Sequence, residues 1–364
     1  MERKPNFESL RVIAMLIIVL SHCVYFGVVR SGLPDAYELW NSGALPYKVL
    51  SAFSILGSIG VGLFFMLSGY FTAHSKKTSI RKVCAVTLYY AGLTVLIGLG
   101  ALLCDSLPYE SNGTLILDIA QSLLTPLTGS SWWYVTAHIV LMLIAPAYNG
   151  FLGRLNPKGF RIWLLLLLVF GYTLGNLGSN FYDLMEALLF YTLGAWFRDC
   201  ESPKRAERRS VYLSIALTGI LLNGICQYGI LTYAIRFNIA DLLLRKTFSI
   251  AEHMLSIPLA CYGLFGFFRS LDIRSRAVNR IARHTFGIYL LHDAPLLRPW
   301  LWFVVLKPYA WFGSPSFLIC LPLCVAAIFC AGIAADLLRE KLFDSPINRA
   351  IDRVTAWFGR VGYR

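Results

Sequence analysis

Two ionisable side chains share one face of the first apolar stretch. Arg11 opens that stretch and His22 follows eleven residues later. At 100° per residue, eleven steps turn a helix by roughly 1100°, about 20° past three full turns. The two side chains therefore stand on one stripe, about 16 Å apart along the axis, with Met15 and Ile18 between them. A guanidinium is a permanent cation whose planar fork grips phosphate or carboxylate. An imidazole titrates near neutrality and can take or give a proton. A lone histidine in an apolar helix is as often a hydrogen-bonded bridge to a neighbouring helix as a catalyst. Spacing alone leaves both readings of His22 open.

Other titratable groups lie in apolar stretches: His138, the pair Glu252-His253 and the pair His292-Asp293, with Glu186 and Asp336 nearer the ends of theirs. Such groups are costly in lipid and are candidates for function, although for each a polar tie between helices is the first reading. Trp132-Trp133-Tyr134 falls at a boundary where an aromatic belt is the default. The nine cysteines mostly fall inside apolar stretches, with no Cys-x-x-Cys and no Cys/His spacing for zinc. They read as small packing residues, and no metal site is expected.

The elements that must carry these groups are membrane helices. Of 364 residues, 57% are hydrophobic and only 15% charged, too few charges to cover a water-facing surface. An aromatic content of 14% excludes a disordered chain. Ten stretches are long and apolar enough to be spans. They lie near 10–29, 49–72, 83–104, 132–152, 161–178, 182–197, 211–233, 247–268, 285–306 and 316–338. The ninth contains Asp293, Pro295, Arg298 and Pro299. The expected fold is an all-α polytopic membrane bundle without a cleavable signal peptide.

Basic residues set its orientation. Alternate loops on one side hold 26 of the 33 Lys and Arg residues and the other side seven, which predicts cytoplasmic termini and an even number of spans. Topology and anionic lipid account for most of the +13 net charge, and nucleic acid is not an expected partner. Asn112-Gly113-Thr114 matches a glycosylation acceptor, a pattern too short to decide anything. The loop Asp105–Ser131 has room for a short outer helix around Leu115–Leu124. Residues 1–338 form the expected membrane domain. The tail 339–364 reads as a cytoplasmic amphipathic helix, with Ile347, Ile351, Val354 and Phe358 at helical spacing.

The segment Asn6–His22, with its Arg, an Ala three later and a His eleven after the Arg, resembles the opening signature of the membrane-bound acyltransferase-3 family. Gly60–Phe71, followed by the basic loop Lys76–Arg81, is similar to its second-span signature. Trp133-Tyr134-Val135 with Pro146 resembles the middle-span signature of the polysaccharide-modifying branch, and Phe286–His292 the ninth-span signature. The resemblance implies a cell-membrane, multi-pass enzyme with no permanently bound cofactor. Such an enzyme takes an acyl group, usually acetyl, from cytoplasmic acyl-CoA as co-substrate. The acceptor is a hydroxyl of a cell-envelope or exported glycan or lipid-linked sugar, and glycan-assembly proteins are possible partners.

It also implies that Arg11 and His22 are essential. Acyl transfer needs a base at the acceptor hydroxyl, which is assigned to His22, and a grip on the CoA phosphates, assigned to Arg11 with Lys76, Lys77 and Arg81. Trp133, Tyr134, His138 and His292 are the candidates for holding substrate. Many members have a Trp-Ser-Leu-x-x-Glu run where this chain has His138, so a carboxylate role does not transfer. The extra hydrolase-like domain of some members is not expected here. A transporter or flippase, with buried His, Glu and Asp as a relay, is the alternative, although no repeated half supports it. A non-catalytic membrane partner of an export assembly is a third reading.

Overall fold

The computed structural model describes residues 4–29, 56–76, 80–104, 132–174, 182–200, 208–237, 253–312 and 314–343, together with residues 119, 349 and 353. Every regular element among them is helical, and each of the ten predicted stretches contains a helix. Helix α1 (Pro5–Val24) has proline in its first turn, where no amide partner is lost, and Glu8 near its positive end. It ends in wider π-type turns over Tyr25–Val29. Then come α2 (Leu56–Thr72), α3 (Arg81–Leu103), α4 (Trp133–Leu152) and α5 (Pro157–Leu166), the last extended by π-type turns over Leu167–Thr173. Next are α6 (Tyr182–Asp199), α7 (Arg209–Arg236), α8 (Ser256–Ser270) and the short α9 (Arg276–Ala282). The chain continues as α10 (Thr285–His292), α11 (Leu297–Trp300) and α12 (Phe317–Leu342).

Five of these, α1, α3, α4, α7 and α12, are long and apolar enough on their own to cross a membrane, and α2 is a shorter apolar helix. Their outer faces are apolar too. Leu217, Leu221 and Ile225 of α7 and Leu318, Ile319 and Leu323 of α12 are exposed. A water-soluble protein would not leave such faces bare; lipid covers them. This is an α-helical membrane bundle.

The ninth predicted span is not one helix. It breaks after His292 and resumes at Leu297, because Pro295 supplies no amide to continue the ladder; Pro299 falls in the first turn of α11, where no amide partner is lost. Non-helical backbone in a bundle of this kind is tolerated only inside protein or beside a cavity. The expected outer helix near Leu115–Leu124 and most of the tail lie outside the described residues, while α12 runs four residues past the expected boundary at 338.

Helix α1 sits at the centre, packed against α2, α8, α9, α10 and α12. Its Phe7, Leu10 and Ala14 belong to one core with α2, α4, α6 and α8. Its Met15, Ile18, Val19 and Cys23 belong to a second core with α3, α10 and α12. Glycine sets how closely the helices approach. A Cβ on Gly194 would fall on the Met66 carbonyl of α2, and one on Gly69 on the Tyr191 carbonyl of α6. On the next turns of α2, a Cβ at Gly60 would lie 2.6 Å from the Ala14 carbonyl oxygen of α1.

Polar side chains finish the helix ends. Asn149 of α4 donates to the Thr72 and Ser75 carbonyls, and Arg198 of α6 to that of Tyr70, satisfying groups at the end of α2 that lack helical partners. On the other side, Asp336 of α12 accepts from His284 Nδ1 at 2.7 Å and from Arg339 Nε at 2.8 Å. That tie fixes the start of α10.

Candidate active site

The stripe on α1 faces two cavities of about 260 Å³ each. Arg11, Met15 and Ile18 line the first, and Ile18, Ser21 and His22 line the second. The helix is unbroken from Pro5 to Val24, so the three-turn spacing of Arg11 and His22 is kept. Ile18, Val61, Tyr134 and Tyr289 line both cavities, and the two tyrosine rings meet edge to face with centroids 5.7 Å apart.

Three basic side chains line the first cavity: Arg11, Lys82 at the start of α3, and Arg283 just before α10. Arg11 is half-buried and pairs with the buried Glu8 carboxylate one turn back at 2.7 Å. That contact engages one nitrogen and holds the fork in place. The remaining wall is mostly apolar, with Phe64, Val83 and Phe286 among it. His138 lines this cavity, its ring stacked on Tyr134 at 5.7 Å. It stands with Arg11, away from the chamber that holds His22.

In the second cavity a chain of hydrogen bonds fixes His22. His292 Nδ1 lies 2.7 Å from the Ile288 carbonyl, an acceptor only, so this nitrogen carries a proton. In a neutral ring its Nε2 is then a bare acceptor, and it lies 3.0 Å from His22 Nδ1. His22 must supply the proton of that bond. Its Nδ1 is thus the N–H, and its Nε2 carries the lone pair. The tautomer follows from a backbone carbonyl two steps away. The ring is 22% exposed, enough to meet a molecule in the cavity.

Asp293 follows His292 at the helix break. Its Oδ1 is 3.8 Å from His22 Nδ1, beyond hydrogen-bond distance, and 3.1 Å from Arg298 Nη1. The Arg298 guanidinium lies 4.6 Å over the Phe26 ring. Trp133 and Tyr25 complete an aromatic wall.

A family model described as an acyltransferase domain matches residues 4–336. This chain belongs to the acyltransferase-3 family. No curated protein and no solved structure matches it. The protein is a membrane acyltransferase, and the match runs from the start of α1 into α12.

The candidate site combines predicted and unpredicted residues. The helix bundle brings His22, His292, Trp133 and Tyr134 together and leaves His138 with Arg11. Lys76 and Arg81 do not line either cavity, and Lys77 lies outside the described residues. Lys82 and Arg283 stand beside Arg11 instead. The signal for Lys82 was one residue away from Arg81; that for Arg283 was its place just before the Phe286–His292 signature. His253 packs on Tyr182 with centroids 4.2 Å apart, and Glu252 lies outside the described residues. None of the nine cysteines is in a disulfide. His284, Asp336 and Glu340 are close enough to share a metal ion, but the Arg339 guanidinium already occupies the cation's place between the two carboxylates. We read that group as the α10–α12 tie.

Proposed function

We propose that this acyltransferase moves an acyl group, acetyl in the first instance, from acyl-CoA to a hydroxyl of a cell-envelope glycan or lipid-linked sugar. In this reading it is a multi-pass protein of the cell membrane with both termini in the cytoplasm, as the uneven division of Lys and Arg favours. The observation that carries the reading is the pair of cavities with a basic mouth at one end of the α1 stripe and a tautomer-fixed histidine at the other.

CoA phosphates sit at Arg11, Lys82 and Arg283, where charge-assisted hydrogen bonds are strongest. The pantetheine arm runs along the apolar first cavity past His138 and brings the thioester to the junction at Tyr134 and Tyr289. The acceptor hydroxyl enters the second cavity. His22 Nε2 takes its proton as the oxygen attacks the thioester carbonyl carbon. The tetrahedral intermediate collapses, the C–S bond breaks, and the departing thiolate takes the proton from His22. The products are an O-ester and CoA thiol. As His22 becomes an imidazolium, its Nδ1–H bond to His292 keeps the ring in place. His292 acts through His22 and does not touch the reacting atoms.

Incubating membranes that contain the protein with acetyl-labelled acetyl-CoA and deacylated envelope glycan tests this. Free CoA together with labelled glycan is the expected result. Movement of solute without loss of thioester would instead identify a transporter and end the proposal.

A further inference from the structure

The Asp293–Arg298 pair is left unused by the proton chemistry above. His22 Nδ1 is already bonded to His292, and Asp293 is too far from it to orient the ring. Stability does not account for the pair either. A buried ion pair is often no better than well-packed apolar residues, and unlike the fully buried Asp336–Arg339 tie this pair has its guanidinium open to a cavity. It also sits where the ninth span is broken, and a break of that kind lines a cavity or is enclosed by protein. Both residues line the second cavity, Asp293 with 5% of its side chain exposed and Arg298 with 28%.

We propose that Arg298, moored by Asp293 and Phe26, binds the acceptor, and that the acceptor residue it binds is an uncharged sugar. This rests on the acyl-transfer reading above and names the substrate class of the same chamber. One guanidinium nitrogen is held 3.1 Å from Asp293 and the planar group lies on Phe26, so the remaining donors are fixed in direction before any ligand arrives. Neighbouring hydroxyl oxygens of a sugar ring are suitable acceptors for such a fork. Trp133 and Tyr25, which line the same cavity, supply aromatic surface for the apolar side of the ring.

Charge sets the class. Among the described residues lining this cavity, Asp293 is the one carboxyl group and Arg298 the one guanidinium, and as an ion pair they leave no net charge. A uronate, sialate or phosphate would compete with Asp293 for a guanidinium already engaged, and like charges so close in a low-dielectric site are costly. A neutral sugar meets no such opposition.

The test uses full-length protein in membranes, acetyl-labelled acetyl-CoA, and deacylated envelope glycan from source cells lacking this gene. Mass spectrometry of the digested product locates the ester. It should lie on a neutral hexose, deoxyhexose or N-acetylhexosamine; an ester on a uronic or sialic residue, or on a phosphorylated one, overturns the inference. Arg298→Gln should raise the KM for glycan at least tenfold while the KM for acetyl-CoA holds. Arg298→Lys keeps the charge, and so the pair with Asp293, but loses the fork; it should still raise the glycan KM at least threefold. Asp293→Asn should shift acceptance toward acidic sugars by releasing the guanidinium. Equal changes in both KM values in the two Arg298 variants would make the pair a structural tie and reject the proposal. No CoA release from wild type with any acceptor would refute acyl transfer itself, a result distinct from these.

Discussion

At the scale of residues, the proposed mechanism depends on which nitrogen of His22 carries its proton. The Ile288 carbonyl sets His292, His292 sets His22, and Nε2 is left free. Replacing His22 by Ala should lower kcat by at least about 10²-fold, the usual contribution of a general base. His22→Gln should be nearly as damaging, because an amide cannot take up a proton near neutral pH. A Gln variant that keeps most activity would move the base elsewhere. His292→Ala should lower kcat by about 10²-fold by freeing the wrong tautomer. His292→Gln, whose carbonyl oxygen can accept the same bond, should recover part of that. In both His292 variants the KM for acetyl-CoA should hold, whereas a general loss of structure would change it as well. The Arg11–His22 stripe was legible because helical periodicity links positions eleven apart. The His22–His292 bond was not, since the partners are 270 residues apart and no local pattern joins them.

At the scale of elements, the ten helical stretches were legible from hydropathy, because a segment that must exclude water from its backbone bonds announces itself by composition. What hydropathy does not encode is where a helix stops being regular. The ninth stretch reads as one apolar run, yet Pro295 splits it, and both Asp293 and Arg298, on either side of that proline, line the cavity. The crossing of α2 and α6 is another feature hidden from composition. Gly69 and Gly194 meet the partner backbone reciprocally, so neither can carry a side chain without moving a helix. Gly194→Ala should therefore destabilise the protein by about 1–3 kcal/mol, the usual cost of overpacking. Thermal unfolding of the detergent-solubilised variant measures it. Gly92→Ala, where an added Cβ meets nothing within 4 Å, is the matched control and should be neutral or slightly stabilising. Equal Tm values for the two variants would show that the α2–α6 crossing can relax.

At the scale of the whole molecule, the proposed reading gives donor and acceptor one cavity each, the two sharing Tyr134 and Tyr289 in their walls. If CoA phosphates rest at the basic mouth, contacts there are remote from the reacting carbon and bind ground and transition states alike. Lys82→Ala and Arg283→Ala should then each raise the KM for acetyl-CoA about fivefold, the equivalent of about 1 kcal/mol for one hydrogen bond, with kcat little changed. Added salt should weaken donor binding in wild type and do so less in the variants, because both side chains are exposed to screening. Lys76→Ala and Arg81→Ala serve as the comparison. Its expected place on the same membrane face as Arg11 favoured that loop, but neither side chain lines the cavity, so their effect on the KM should be small. Arg11→Lys differs from all of these. It retains the charge but loses the planar fork, of which Glu8 engages only one nitrogen, so its KM should rise and kcat should fall as the thioester is less firmly placed. Titrating acetyl-CoA for the five variants at low and high salt separates the cases. A larger KM change at Lys76 and Arg81 than at Lys82 and Arg283 would place the donor on the other side of the α2–α3 turn, and the path from mouth to His22 would have to be redrawn.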